Sequence, residues 1–208
     1  GKTLLALWKA VELAESGEEN YLIIVFTRSL KRFILDGLNS INQHFSLNES
    51  NIMYHWEWAN KYNKRSADYI IVDEVQDFDE DELLDIIQSS KKHLLLFGDT
   101  AQQIYADSDF KGHLMNMEEI SYKSKTKLHR LYLNHRLPKK IARVAEQISS
   151  QNDIELEEIC IKEGVRPNLI KCQSFKQQLD YIRRVIISHN YKDVGILFPS
   201  NDQVESAY

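Results

Sequence analysis

Apolar positions along the chain fall into two alternating rhythms. Tyr21-Leu-Ile-Ile-Val-Phe26, Tyr69-Ile-Ile-Val72 and Leu94-Leu-Leu-Phe97 are unbroken apolar runs, the pattern of strands buried on both faces. Between them, Leu4–Ala14, Ser29–Leu38 and Asp79–Gln88 carry helical spacing. Leu4–Ala14 is apolar on nearly every side and stops at Ser16-Gly17. Asn51–Tyr54 predicts a short strand, followed by a helix that carries Trp56-Glu-Trp58. Further along, the pattern predicts strands at Leu128–Leu133, Leu169–Cys172 and Val194–Phe198, and helices at Pro138–Ile148 and Phe175–Ile187. Pro138 suits a first helical turn. Such alternation predicts an α/β architecture with parallel strands and right-handed crossovers. Ligands of such sheets bind beyond the carboxyl ends of the strands, so the residues just after each strand are the place to look for chemistry.

The lysine-rich stretch Glu118–Lys127 reads as a boundary, dividing the chain into a first domain over 1–127 and the start of a second over 128–208. There are 208 residues, 43% of them hydrophobic, which suffices for one large domain and part of another. The apolar runs fall far short of the roughly 20 residues of a membrane span, so no membrane partner is expected. The chain opens at Gly1-Lys2-Thr3 without Met, and no secretory signal is visible, so a cytoplasmic protein lacking its true N-terminus is expected. Cys160 and Cys172 lack metal-ligand spacing and read as free thiols, and the seven His are scattered, against a zinc site. Net charge is −5, which argues against coating nucleic acid by bulk charge. Much of the acidity sits in Asp73–Asp85, and the remainder is slightly positive.

Four places carry candidate chemistry. Gly1-Lys2-Thr3 looks like the end of a P-loop, GxxxxGK(S/T), whose helix N-terminus offers free N–H groups to phosphates. Lys2 would reach the β- and γ-phosphates and the Thr3 hydroxyl would hold magnesium. Asp73 and Glu74 follow directly on Tyr69–Val72, where Walker B acids sit. Asp73 would bind magnesium through water, because a hard cation prefers oxygen. Glu74 would act as general base on the attacking water. After Leu94–Phe97 come Gly98-Asp99 and Gln102. Asp99 would join the magnesium shell or fix Thr3, and the Gln102 amide would sense the γ-phosphate. Arg136, in Asn134-His-Arg136, is the candidate for stabilising charge on the transferred phosphoryl group from the second domain. ATP and Mg2+ are therefore the expected cofactors.

These pieces, in this order, resemble the UvrD/Rep branch of superfamily 1 helicases over most of residues 1–149. Gly1-Lys2-Thr3 is similar to the tail of motif I, Val25-Phe-Thr-Arg-Ser29 to motif Ia, and Val72-Asp-Glu-Val-Gln-Asp77 to motif II, whose family form is DExQD. Gly98-Asp-Thr-Ala-Gln-Gln-Ile-Tyr105 is similar to motif III, and Leu133-Asn-His-Arg136 to motif IV. The resemblance implies a RecA-like P-loop NTPase sheet with part of a second RecA-like domain. It implies an ATP-dependent motor of repair type moving 3′→5′ on single-stranded DNA, with Gln76 linking nucleotide to the DNA side. Thr27, Arg28 and Tyr105 would then lie along the DNA. Phe110 stands in for the tryptophan-containing stretch that usually follows motif III and stacks on a base. The chain lacks motifs V and VI and the first half of motif I, so by itself it is expected to bind nucleotide weakly and hydrolyse it poorly.

Basic clusters also occur at Arg28, Lys31 and Arg32, at Lys61, Lys64 and Arg65, and in the regions 123–130 and 139–143. The first is the best DNA candidate, while Trp56 and Trp58 read equally well as core residues or stacking platforms. Two other readings stay open. One is an ATPase subunit of a repair or defence complex with little unwinding of its own. The other is a helicase-like binding module without catalysis, against which the competent residue types at 73, 74, 102 and 136 argue. The oligomeric state is open, a monomer included.

Overall fold

The computed structural model describes residues 1–41, 47–103, 112–148 and 155–207. Its centre is a four-stranded parallel sheet in the order β2-β1-β3-β4, with β1 at Tyr21–Val25, β2 at Ile52–Tyr54, β3 at Ala67–Asp73 and β4 at Ser90–Leu96. Register pairs Val25 with both Tyr54 and Asp73, and Val72 with Leu96. Those pairings align the carboxyl ends of all four strands along one edge.

β1 is apolar throughout because both its faces are covered, and β3 is buried from Ile70 to Asp73. Tyr21, Ile23 and Val25 pack with Ala6, Ala10 and Leu13 of α1 (Lys2–Glu15) and Ile34 of α2 (Arg28–Ile41). Leu22 and Ile24 face the other layer, with Trp58, Phe78, and Leu83 and Ile86 of α3 (Glu80–Ser89). The sheet order reverses between β1, whose successor β2 lies on one side, and β3 on the other, which opens a crevice at the carboxyl edge. This is an α/β P-loop fold of RecA-like type.

Helix α3 starts on a capping box. The Asp79 side chain accepts from the Glu82 N–H at 2.9 Å, and the Glu82 carboxylate accepts from the Asp79 N–H at 2.9 Å. Two of the acids in the 73–85 run thus have a local structural task. Asp79→Ala is expected to lower stability by about 1 kcal/mol, measured by urea unfolding, because it orphans a first-turn donor.

The later part of the chain departs from the pattern read in the sequence. Leu128–Leu133 is not a strand: Leu131, Tyr132 and Leu133 are exposed, and β5 begins only at Asn134, running to Pro138 and pairing in parallel with β6 (Cys160–Lys162). The expected strands at Leu169–Cys172 and Val194–Phe198 are also absent, with Leu169 and Leu197 exposed. A strand persists through its neighbour's hydrogen bonds, and among the described residues no partner strand pairs with these segments. The helices are found close to expectation, as α5 (Lys139–Ile148) and α7 (Phe175–His189), with the short α6 (Leu156–Ile159) between them in the chain and α8 (Asn201–Ala207) after them.

The stretch 118–127 carries most of α4 (Met117–Ser124). Ile120 and Met115 are buried in the core beside Phe78 and Val75. Compact units span Gly1–Gly164 and Val165–Tyr208. No described helix is long and apolar enough to cross a membrane.

Candidate functional site

The carboxyl edge of the sheet gathers the candidate residues. Asp73 ends β3 and is buried, and among the described residues neither carboxylate oxygen has a hydrogen-bond donor. Burial is the main force pushing its pKa above the ordinary carboxylate value. The negative charge of Glu74 adds to the rise, while the Thr3 hydroxyl and the Lys2 charge oppose it. Thr3 is thus near enough to act on Asp73, although its geometry falls short of a hydrogen bond. A buried, donor-less carboxylate beside a hydroxyl and an ammonium fits a hydrated divalent cation.

Gly1 caps α1 without a side chain, and the first turn holds no acid. Its free N–H groups and positive dipole end therefore remain available to an anion. Lys2 lies over the same end and donates to Asp99 Oδ2 at 3.3 Å.

Glu74 follows at φ +55°, ψ +45°, in the left-handed region. A β-carbon-bearing residue reaches that conformation at a cost, and such costs concentrate at functional positions. Its carboxylate accepts from Gln76 Nε2 at 2.8 Å. Gln76 is itself buried, and its Oε1 accepts from the Asp99 N–H at 2.9 Å. One side chain therefore ties the end of β3 to the loop after β4. The backbone reinforces the tie, with Val75 N–H donating to the Phe97 carbonyl at 2.9 Å and Phe97 N–H to that of Val72 at 2.8 Å.

The loop after β4 begins at Gly98. A β-carbon there would lie 2.7–2.8 Å from Met117 Sδ, Gln76 Oε1 and Val75 Cγ1, so glycine is required by close approach. Asp99 Oδ1 caps the next turn on Ala101 N–H at 3.1 Å, and Asp99 Oδ2 accepts from Gln102 Nε2 at 2.7 Å as well as from Lys2. Asp99 thus holds Lys2 and Gln102 together; in the sequence reading it served the magnesium shell or Thr3.

Two anchors of this loop escaped sequence reasoning. Gln103 Nε2 donates to the Met115 carbonyl at 2.7 Å and to that of Gln76 at 3.2 Å. Met117 N–H donates to Thr100 Oγ1 at 3.0 Å. No sequence spacing relates Gln103 to Met115, because the pairing exists only once α4 is docked.

The remaining candidates are placed as follows. Thr27 caps α2, its Oγ1 accepting from Leu30 N–H at 3.1 Å, and Arg28 is exposed next to it. Arg136 is exposed on β5, where its N–H and that of Leu137 donate to Asn134 Oδ1. The contacts of β5 are chiefly with β6 and α5 and not with the site strands. Tyr105 and Phe110 lie outside the described residues. Lys2, Thr3, Asp73, Glu74, Gln76, Asp99 and Gln102 are therefore brought together, and Arg136 is not joined to them by any contact described.

A parallel sheet with a helix N-terminus at Gly1-Lys2-Thr3, a buried strand-end aspartate and an adjoining glutamate define a P-loop NTPase of the helicase-like superfamily. Residues 1–108 match the family model described as AAA domain, and the chain belongs to that family. The domain is found in UvrD/Rep-like helicases. No curated protein matches the chain.

Proposed function

We propose that the chain is the core of an ATP-driven motor of superfamily 1 that couples hydrolysis to movement on single-stranded DNA. The observation that carries this reading is the Gln76 bridge, which joins Glu74 to the Asp99 loop through two hydrogen bonds. A P-loop enzyme without a mechanical output needs a base and a cation site. It does not need a buried amide between the base and a second loop.

In this reading Lys2, Thr3 and Asp73 hold Mg2+ and the nucleotide phosphates. Bound Mg2+ supplies neutralisation of the charge that develops on the transferred phosphoryl group. Glu74 orients the attacking water and accepts its proton. Lys2 leaves Asp99 for the phosphates, and the freed Asp99 passes that change to Gln102 and the loop behind it. Residues 1–127 act as the first RecA-like domain and 128–208 as the start of the second, from which Arg136 completes the site when the domains close. The paired carboxylate and amide at 74 and 76 favour this motor over a binding module.

In the full-length protein, ATP hydrolysis should rise at least about tenfold when single-stranded DNA is added, the range in which effectors commonly act. Hydrolysis that is robust but indifferent to DNA would move the reading to an ATPase subunit driven by another partner.

A further inference from the structure

The two neighbouring tryptophans have opposite environments. Trp58 is fully buried, and its indole N–H donates to the Arg65 carbonyl at 2.9 Å. Trp56 is 59% exposed, and its ring stacks on Tyr54 with centroids 6.3 Å apart and planes 13° from parallel. A lone exposed tryptophan is ordinary, but Trp56 is held in place. Its carbonyl accepts from Asn60 Nδ2 at 3.0 Å, and the adjoining Glu57 is paired to Lys31 of α2 at 2.6 Å.

Its position carries the argument. Tyr54 ends β2 in register with Val25 of β1, so Trp56 follows the strand end next to Thr27 and Arg28, on the same carboxyl edge as Asp73. Arg28 and Arg32 are one turn apart and exposed on α2, and neither forms an ion pair among the described residues. Phe33, beside Arg32, is also exposed. Glu57, an acid close to this surface, is matched by Lys31 and by Lys61 at 3.8 Å. In a chain of net charge −5 this edge therefore presents unpaired guanidinium groups beside an aromatic face. Phosphates match the former and unpaired bases the latter, whereas in a duplex the base faces are hidden.

We propose that Trp56, backed by Tyr54 and flanked by Arg28 and Arg32, is a stacking platform for a base of single-stranded DNA. This rests on the motor reading above and adds the point at which a base is gripped. The test is fluorescence anisotropy of a labelled short oligothymidylate titrated with the full-length protein without nucleotide, so that binding is read separately from hydrolysis. Trp56→Ala should weaken binding about tenfold, and Trp56→Tyr should restore most of it, since a smaller ring still stacks. Combined Arg28→Ala and Arg32→Ala should reduce the slope of affinity against salt. Trp8→Ala, which removes another exposed indole, should change nothing.

Equal affinity of Trp56→Ala and wild type, or equal loss in Trp8→Ala, overturns the platform while leaving the motor reading intact. Absence of ATP hydrolysis under every condition overturns the motor reading, whatever Trp56 does to DNA affinity. Failure of the wild type to bind the oligothymidylate removes the platform as well.

Discussion

Glu74→Gln should abolish ATP turnover and leave nucleotide binding in place. Hydrolysis should fall on the order of 10²–10⁴-fold, the usual contribution of a positioned general base. The substitution is nearly isosteric, and the new amide can turn its oxygen to Gln76 Nε2, keeping the 2.8 Å hydrogen bond that Glu74 makes. It also keeps the left-handed backbone at position 74 without changing the size of the side chain. The fold should therefore be unaffected. Single-turnover hydrolysis would show the loss, and the rise in melting temperature produced by Mg-ATP would persist, because the groups proposed to hold phosphate and cation are those at positions 2, 3 and 73. A variant that still hydrolyses ATP within about threefold of wild type would remove Glu74 from the role of base and leave its strained backbone without a catalytic purpose.

Asp73→Asn should do two opposite things. In the protein without ligand it should stabilise the fold. The carboxylate is buried without a donor, and burial raises its pKa above the ordinary value of 3.8. Across the interval between 3.8 and the raised folded value, the native state holds more protons than the unfolded chain. Stability therefore falls as pH rises through that interval and stays reduced above it. Asparagine carries no such cost, so the variant's advantage should be small below pH 3.8 and grow as pH rises to neutrality, in thermal unfolding at a series of pH values. With Mg-ATP the ranking reverses. Wild type should gain stability in proportion to RT ln(1 + [L]/Kd), about 2.7 kcal/mol at a hundredfold excess over Kd, and Asp73→Asn should gain little. A variant less stable than wild type at neutral pH would mean that the carboxylate is held by favourable partners.

These two residues were legible early because their signal is local. Four apolar residues followed by two acids describe a strand end wherever the strand sits, and Tyr69–Val72 leads directly into Asp73 and Glu74. The helix and strand rhythm of residues 4–97 was equally plain, since β1 and the second half of β3 are buried on both faces and read as unbroken runs, and β4 keeps its apolar run at Leu94–Leu96. The same rule misled at Leu128–Leu133, Leu169–Cys172 and Val194–Phe198. Apolar runs of that length do not report whether a neighbouring strand is present to pair with them, and pairing decides.

What the sequence determined by itself is thus the set of groups near the strand ends, because composition and period act over a few residues. Only the tertiary structure decided how they connect. The Gln76 bridge needs β3 and β4 side by side, Gly98 is required because Met117 and Val75 close over it, and Gln103 reaches Met115 because α4 docks on the core. Trp56 and Trp58 are two residues apart and chemically identical. One is exposed and the other lies in the core cluster that holds Phe78 and Leu83, a choice made by packing between segments far apart in the chain.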